Sequence, residues 1–288
     1  MSQHVISLDI GGTNMRAAII DDNLTIVRVI REPTLTGSVE LFLEQVVKII
    51  KALKYEEFAI KNIAIAIPGR VRHDGYIYEI PNIGIEKIPL RDHLLRHFPF
   101  PIFVRNDAEL AGLAEAIHGV GKGLSSTFFV TISTGLGGAY IENGAIKQLD
   151  DEIGHHMFYY QGKLRELEKI ASGNGIINLC SLNGVIILHP SEFFSRVRAG
   201  DSKFLAIYQD WLELLGGFFA HIEKVFTPKV VALTGGVMRS EDVFLEDLRK
   251  RHPNLVLKRA QHLHDAGLIG TACFGFQQES TAIFQNVI

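Results

Sequence analysis

Two segments in different halves of this chain share one unusual pattern. The first, ISLDIGGTNMRAAII at residues 6–20, and the second, FVTISTGLGGAYIE at residues 129–142, each contain an apolar run, a glycine-rich turn and a second apolar run. Short apolar runs bounded by glycines are typical of buried β-strands joined by a tight turn. A chain that repeats this unit predicts a duplicated fold with one copy in each of two lobes.

The remaining periodicities alternate between strand and helix. Short apolar runs predict further strands at residues 24–29, 63–67, 102–104, 230–233 and 255–257. Helical spacing of apolar residues predicts helices at residues 39–53, with Ser38 as N-cap, and at 108–117, 164–182, 204–226, 241–251 and 266–276. Strands that alternate with helices, together with hairpins, predict an α/β fold.

Composition narrows the class of protein. The 288 residues are 47% hydrophobic and 21% charged, which is enough apolar material for a folded core and excludes a disordered chain. Basic and acidic side chains number 29 and 32, so no basic excess indicates nucleic acid or a membrane surface as partner. The sequence shows no signal-peptide pattern and no span of about 20 apolar residues. We expect a soluble protein of the cytoplasm.

The first glycine turn follows a carboxylate. Asp9 ends a predicted strand, and the turn itself contains Gly11, Gly12, Thr13 and Asn14. A glycine pair lets backbone N–H groups approach a phosphate without a Cβ in the way, and Asp9 could hold Mg²⁺ directly or through water. The alternative is an ordinary tight hairpin. Neither GxxxxGK[ST] nor GxGxxG before a helix is present, which excludes a P-loop and a dinucleotide fingerprint.

Two more glycine segments follow predicted strands. Thr134, Gly135 and Gly137 lie at the tip of the second repeated hairpin and suit a phosphate for the same reason. Gly235 and Gly236 follow a later strand, at the end where ligands of open α/β sheets bind. An adenosine contact and a plain turn between strand and helix both fit this last position.

Acidic residues and a histidine complete the candidate site. Asp107 follows Asn106 at a strand-to-helix junction, where it is either an acceptor for a hydroxyl proton or the N-cap of the helix. Glu152, His155 and Glu168 offer the mixture of donors and acceptors that sugar hydroxyls need. A solvated polar loop has the same composition.

Five segments, DIGGTN, ND, STGLGG, EIGH and LTGGV, resemble in this order the motifs of the ROK family of sugar kinases, repressors and related open reading frames. The resemblance covers essentially the whole chain, from Asp9 to HDAGLIGTA at 264–272. It implies the two-lobed actin-like ATPase fold, which is ribonuclease H-like, with the active site in the interlobe cleft. The implied lobes are residues 1–105 with 266–288, and residues 106–265.

The resemblance also implies roles for individual residues. The first phosphate motif, with its first residue near Mg²⁺, matches Asp9, Gly11, Gly12, Thr13 and Asn14. The second phosphate motif matches Thr134, Gly135 and Gly137, and the adenosine motif matches Gly235 and Gly236. The catalytic base of the family matches Asp107. The positions that contact the sugar match Gly69, Asn82, Asn106, Asp107, Glu152, His155 and Glu168.

One stretch departs from the family pattern. Most members carry three cysteines and a histidine that bind structural zinc, whereas here the stretch is HHMFYYQGKLRELE at 155–168 and contains no cysteine. We therefore expect no zinc, and an apolar cluster of Met157, Phe158, Tyr159 and Tyr160 in its place. The histidines at 155, 156, 262 and 264 lack a regularly spaced third ligand, which argues against another metal site.

The resemblance implies an enzyme that uses ATP and Mg²⁺ to phosphorylate the primary hydroxyl of a hexose, at the 6-position. N-acetylmannosamine, a glucose-type sugar and a β-glucoside all stay open, although PGRV at 68–71 and the HDAGLIGTA ending favour N-acetylmannosamine slightly. The alternative is a non-catalytic sugar sensor or regulator without its DNA-binding domain. We expect the enzyme, because both Asp9 and Asp107 are present. We also expect a homodimer that binds neither nucleic acid nor a membrane.

Overall fold

The computed structural model of the chain describes residues 2–72, 74–80, 83–149, 153–262 and 265–278. The chain divides into two compact units, Met1–Ala114 with His264–Ile288, and Glu115–Leu263. Each unit has an apolar core of its own. Two residues of the sequence-based site, Asn82 and Glu152, lie outside the described residues.

The helices and strands follow in chain order. The first part of the chain contains β1 His4–Ile10, β2 Asn14–Asp21, β3 Ile26–Pro33, α1 Val39–Ala52, β4 Ile60–Ile67, β5 Arg70–Val71, β6 Ile77–Ile80, β7 Ile85–Ile88, α2 Leu90–Leu95, β8 Ile102–Asn106 and α3 Asp107–Ile117. The second part contains β9 Ser126–Ile132, β10 Leu136–Glu142, β11 Ala145–Lys147, β12 Met157–Tyr160, β13 Lys163–Glu166, α4 Glu168–Ala171, α5 Gly173–Leu182, α6 Pro190–Arg198, α7 Ser202–Phe226, β14 Val230–Thr234, α8 Glu241–Arg251, β15 Leu257–Arg259 and α9 Ala266–Gln277.

The central sheets of the two units have the same design. In the first unit the strand order is β3-β2-β1-β4-β8, and in the second it is β11-β10-β9-β14-β15. In both sheets the first three strands pair antiparallel and the last three run parallel. The duplication predicted from the two glycine hairpins is therefore present in the sheet topology, and the α/β prediction is confirmed.

Local sequence explains most of the elements that carry this design. Strand β1 has buried residues at nearly every position, as expected for a strand covered on both faces. Helix α1 begins where Ser38 accepts a hydrogen bond from the N–H of Leu41, as predicted from its N-cap position. The strand predicted at 24–29 begins later, as β3, because Leu24 takes a left-handed conformation with φ 62° in the preceding turn.

The prediction of a single helix at residues 164–182 is wrong at its start. Residues 163–166 form β13, which pairs antiparallel with β12, and the helical part is split into α4 and α5. Ser172 causes this split: it has extended backbone and accepts a hydrogen bond from the N–H of Gly175, so it caps a new helix. The small sheet β5-β6-β7 and helix α6 were not predicted at all.

The last helix packs against the central sheet of the first unit. Helix α9 packs on β1 and β4, where the amide of Asn62 donates a hydrogen bond to the carbonyl of Gly275 at 2.8 Å. A Cβ at Gly275 would lie 2.7 Å from the Asn62 side chain, so only glycine lets the helix approach this closely. Among the described helices, none has the length and apolar character that crossing a membrane requires.

Candidate active site

The parallel strands of the first unit bring four site residues to one edge of the sheet. Strands β1, β4 and β8 run in the same direction, so their carboxyl ends share an edge. Asp9 pairs with Ala66 near the end of β1, while Asn106 pairs with Ile67 at the end of β8. Ligands of open α/β sheets bind at this edge. Residues far apart in sequence are thus collected by topology, with Gly69 and Asp107 immediately beyond the strands.

The first glycine turn is held by Thr34, the residue that follows β3. The Thr34 hydroxyl donates to the carbonyl of Gly11 at 2.7 Å, and the Thr34 N–H donates to the carbonyl of Thr13 at 3.0 Å. Inside the turn, the Gly11 N–H donates to the carbonyl of Asn14 at 2.8 Å. These bonds fix the conformation of the turn through its carbonyl oxygens. The exposed Thr13 side chain remains accessible as a hydroxyl donor.

Asp9 lies in a charged cluster that the sequence interpretation did not include. Its carboxylate accepts a hydrogen bond from Arg16, and Arg16 also contacts Asp265. The hairpin register puts Asp9 directly opposite Arg16. A hairpin with only Gly11 and Gly12 at its tip would instead pair Asp9 with Asn14. The pairing with Arg16 follows from the four-residue loop 11–14 that the structure shows. The carboxylate of Asp9 also lies against Gly267, at the beginning of α9.

Asn106 joins two of the predicted sugar-binding segments. Its side-chain oxygen accepts hydrogen bonds from the N–H groups of Ala108, at 2.9 Å, and Glu109, at 3.3 Å. Its amide nitrogen donates to the carbonyl of Gly69 at 3.1 Å. Asn106 therefore caps α3, and Asp107 is the first residue of that helix rather than its N-cap. The carboxylate of Asp107 is 2.8 Å from the N–H of Ala108.

The carboxyl group of Glu109, on the first turn of α3, has a raised pKa. Burial raises the pKa of its carboxyl group, whereas the positive charge of Arg105 and a backbone hydrogen bond act in the opposite direction. Burial is the larger effect, so a proton is held more tightly there than on a carboxylate in water. The first turn of α3 thus carries two acidic groups, Asp107 and Glu109.

In the second unit, the second glycine turn is anchored by the start of α5. The N–H groups of Gly173 and Asn174 donate to the carbonyls of Ser133, at 2.7 Å, and Thr134, at 3.2 Å. The hydroxyl of Ser172 donates to the same Thr134 carbonyl at 2.9 Å. The turn is therefore rigidly connected to α5 through its carbonyl groups. Ser172 is a functional candidate that the sequence interpretation missed.

Glu168 connects a predicted sugar position to this second turn. Its Oε2 atom accepts a hydrogen bond from the N–H of Leu136 at 3.1 Å, and a Cβ at Gly135 would lie 2.5 Å from the same atom. A Cβ at Gly154 would collide with the carbonyl of Leu136. The structure thus brings the segment before His155, the carboxylate of Glu168 and the glycine turn into one cluster.

The third glycine pair lies beside the same turn. Strand β14 runs parallel to β9, and Thr234 pairs with Thr131. Gly235 has φ 102°, and a Cβ there would collide with the carbonyl of Ile132, so this position requires glycine. Gly236 begins the short helical turn Gly236–Ser240. Two of the three glycine segments are therefore adjacent at the carboxyl edge of the second sheet.

The cysteine-free stretch forms the hairpin β12-β13. Phe158 and Tyr160 pack against the core, whereas Met157 and Tyr159 point outward with 53% and 71% of their surface exposed. Half of the predicted apolar cluster is therefore in contact with the core. Nδ1 of His155 lies 3.5 Å from Oε2 of Glu166. No group of three potential metal ligands occurs within residues that the structure describes.

Comparison with known proteins places this chain in a family. The sequence pattern of the ROK family matches residues 5–277. The chain is 28% identical over 255 residues to a glucokinase of Halalkalibacterium halodurans, covering 76% of this chain and 77% of that protein. It is 27% identical to an N-acetylmannosamine kinase of Citrobacter koseri, covering 93% and 97%. A crystal structure of a ROK hexokinase from Thermus thermophilus superimposes with a TM-score of 0.84 at 27% identity, covering 95% and 98% of the two chains.

The chain belongs to the ROK family. The resemblance read from the five motifs is thereby confirmed, together with the two-lobed actin-like ATPase fold. Its class within the family is that of the carbohydrate kinases.

Proposed function

We propose that this protein transfers the γ-phosphoryl group of ATP to the 6-hydroxyl of a hexose. The observation that carries the proposal is the edge of the first sheet, where Asp9, the Gly69 loop and Asn106 with Asp107 end three parallel strands. A phosphate-binding turn and a carboxylate at a strand-to-helix junction are the groups that phosphoryl transfer requires. The class of the relatives supports the same reaction.

We assign the nucleotide to the three glycine segments. The phosphate positions are Asp9, Gly11, Gly12, Thr13, Asn14, Thr134, Gly135 and Gly137, and the adenosine positions are Gly235 and Gly236. Asp9 suits Mg²⁺, because its carboxylate supplies hard oxygen ligands and is 22% exposed. Mg²⁺ bound with the nucleotide would neutralise charge on the phosphate oxygens. Rigid turns whose carbonyl groups are already bonded need little reorganisation when a phosphate binds.

We assign the acceptor sugar to the remaining site residues, Gly69, Asn82, Asn106, Asp107, Glu152, His155 and Glu168. Asp107 accepts the proton of the 6-hydroxyl while the sugar oxygen forms its bond to the γ-phosphorus and the bond to ADP breaks. Asn106 positions this carboxylate, because it caps α3 and holds the Gly69 carbonyl at the same time.

Three sugar classes remain candidates: N-acetylmannosamine, a glucose-type sugar and a β-glucoside. The segment at 68–71 favours N-acetylmannosamine, and relatives named for glucose and for N-acetylmannosamine match this chain with similar identity. A pocket difference of one methyl group changes specificity by only about 1–3 kcal/mol, so turnover must be measured. The rate of ADP release, measured with each sugar at the same concentration, ranks the three classes as substrates.

Substitution of Asp107→Asn tests the reaction. A positioned general base contributes about 10²–10⁴-fold, so we expect kcat to fall by that factor while the sugar still binds. The measurement is ADP release under saturating ATP and sugar, combined with calorimetric titration of the sugar. Asp92→Asn, at an exposed position of α2, is a matched control for loss of a carboxylate. Near-normal kcat in the Asp107 variant contradicts the assignment.

We further propose that the protein forms a homodimer. Several large apolar side chains of the second unit are exposed to solvent, with Ile186 at 87% and Leu188 at 88%. Their neighbours Val185 and Ile187 pack into the core, so the segment is anchored while these two side chains project outward. Exposed apolar groups of this kind favour burial against a second copy.

A further inference from the structure

The cross-strand neighbour of Asp9 is a positively charged residue that is held at two points. Arg16 donates from Nη2 to Oδ2 of Asp9 at 2.5 Å and from Nη1 to Oδ1 of Asp265 at 2.9 Å. Because Asp9 and Arg16 are directly paired between β1 and β2, the backbone ladder fixes their separation. The guanidinium group is thus placed by the fold and is not a mobile surface charge.

The surroundings strengthen this interaction. The side chains of Asp9 and Arg16 are each only 22% exposed, so solvent screens the pair less than it screens a surface ion pair. Asp9 also lies against the first turn of α9, since a Cβ at Gly267 would be 2.5 Å from its carboxyl carbon. The positive end of a helix dipole points toward such a position. Two positive partners therefore already compensate the negative charge of Asp9.

We propose that Arg16 is a positioning residue that weakens the hold of Asp9 on the divalent cation of the phosphoryl-transfer site. It occupies one carboxylate oxygen and leaves the other for the cation or for a water of its hydration shell. The inference rests on the proposed function, because only a metal–nucleotide substrate brings a cation to Asp9.

Arg16 weakens the binding of the cation to Asp9 so that the cation can be released in every catalytic cycle. Mg²⁺ in phosphoryl-transfer sites keeps several waters and is bound by one or two carboxylates together with the phosphates of the substrate. A cation that arrives and leaves with the nucleotide in every cycle must be held weakly by the protein alone. A guanidinium group bonded to the carboxylate reduces its negative field and competes for its lone pairs. Arg16 supplies this competition, and Asp265 keeps it in place.

A merely structural role predicts the opposite sign. If Arg16 only fastened β2 and α9 to β1, its loss would disorder Asp9 and weaken binding of a divalent cation. If Arg16 competes with the cation, its neutralisation strengthens that binding. The direction of the change therefore distinguishes the two roles.

The test uses Mn²⁺ as a paramagnetic probe. Mn²⁺ is titrated into the full-length protein with ADP present, and electron paramagnetic resonance measures the concentration of free Mn²⁺. The titration is done for the natural chain and for Arg16→Met. We expect the dissociation constant of Mn²⁺ to fall by roughly three- to tenfold in the variant, because a nearby positive charge has been removed. Arg16→Gln, which keeps an N–H donor for Asp9, gives the same direction if the methionine variant folds poorly.

Controls separate this inference from the proposed function. Arg28→Met removes another ion-paired arginine of the first unit, bonded to Glu57, and leaves the Mn²⁺ affinity unchanged. An unchanged or weaker Mn²⁺ affinity in both Arg16 variants overturns the inference. Absence of phosphoryl transfer to any hexose by the natural chain contradicts the proposed function instead, and that result comes from a different assay.

Discussion

Both carboxylates that lie beside the glycine turns have a glycine as neighbour. Asp9 lies against Gly267, and Glu168 lies against Gly135. In each case a Cβ would come within 2.5 Å of an atom of the carboxyl group. Glycine is needed here for its lack of a Cβ as well as for its backbone freedom. The missing Cβ makes room for a carboxyl group beside the main chain.

Gly135→Ala tests this at the residue scale. The added Cβ would lie 2.5 Å from Oε2 of Glu168, so the carboxylate must move and its bond to the Leu136 N–H is lost. The N–H of Leu136, a buried residue, then lacks this acceptor at a cost of about 1–3 kcal/mol. Because Glu168 is a proposed sugar contact, we expect kcat/KM for the sugar to fall by roughly 5- to 100-fold. Steady-state kinetics with varied sugar measure the effect.

Gly216→Ala is the matched control, because a Cβ there meets its nearest neighbour at an ordinary 3.6 Å. We expect its kinetics to equal those of the natural chain. Equal kinetics for Gly135→Ala as well contradict a role of Glu168 that depends on this close packing.

At the scale of elements, the cysteine-free stretch 155–168 contains the hairpin β12-β13. Its inward face contacts α7, where a Cβ at Gly217 would lie 2.9 Å from the ring of Phe158. The hydroxyl of Tyr160 donates to Asp210 at 2.8 Å and accepts from the amide of Asn183 at the same distance. Apolar contact and side-chain hydrogen bonds thus fasten the hairpin to two helices.

Phe158→Ala measures how much this packing contributes. Removal of a fully buried phenylalanine costs about 3–5 kcal/mol, and for this partly buried ring we expect a loss of about 2 kcal/mol in the free energy of unfolding. Urea denaturation with an unchanged m-value is the measurement. Tyr159→Ala, on the exposed face of the same strand, should change stability by no more than about 0.5 kcal/mol. Equal losses in the two variants rule out the proposed anchoring.

At the scale of the whole molecule, two sheets of identical order form the cores of two units. The same arrangement places a glycine turn after the first parallel strand of each sheet, after β1 in one unit and after β9 in the other. The proposed phosphate positions of each unit therefore lie at the carboxyl edge of its sheet, where ligands of open α/β sheets bind.

The homodimer is predicted at this scale. Light scattering after size exclusion should give twice the chain mass of 32.0 kDa. A double variant, Ile186→Asp with Leu188→Asp, should give the monomer mass, because burial of each side chain contributes about 1.5–3 kcal/mol. Val225→Asp, at another exposed apolar position, should remain dimeric. A monomeric natural chain, or a dimeric double variant, contradicts the proposed interface.

Local patterns were sufficient for the strand–turn–strand units and for the long helices. Apolar runs and a glycine pair specify a hairpin through neighbouring residues. The register that places Asp9 opposite Arg16 depends on the length of the loop, which the structure supplies. Helix α7 likewise follows from its apolar period alone. The proposed roles of Asp107 and the glycine turns come from the family motifs, because the spacing of apolar residues carries no information about them.

The sequence by itself determined the class of fold, the duplication and the family, because each depends on short segments whose pattern is complete within a few residues. Only the tertiary structure decided that Asn106 caps α3 while it holds Gly69, and that Glu168 bonds to the second glycine turn. It also decided that residues 163–166 form a strand. These outcomes depend on contacts between distant segments, whose packing energy exceeds local preference.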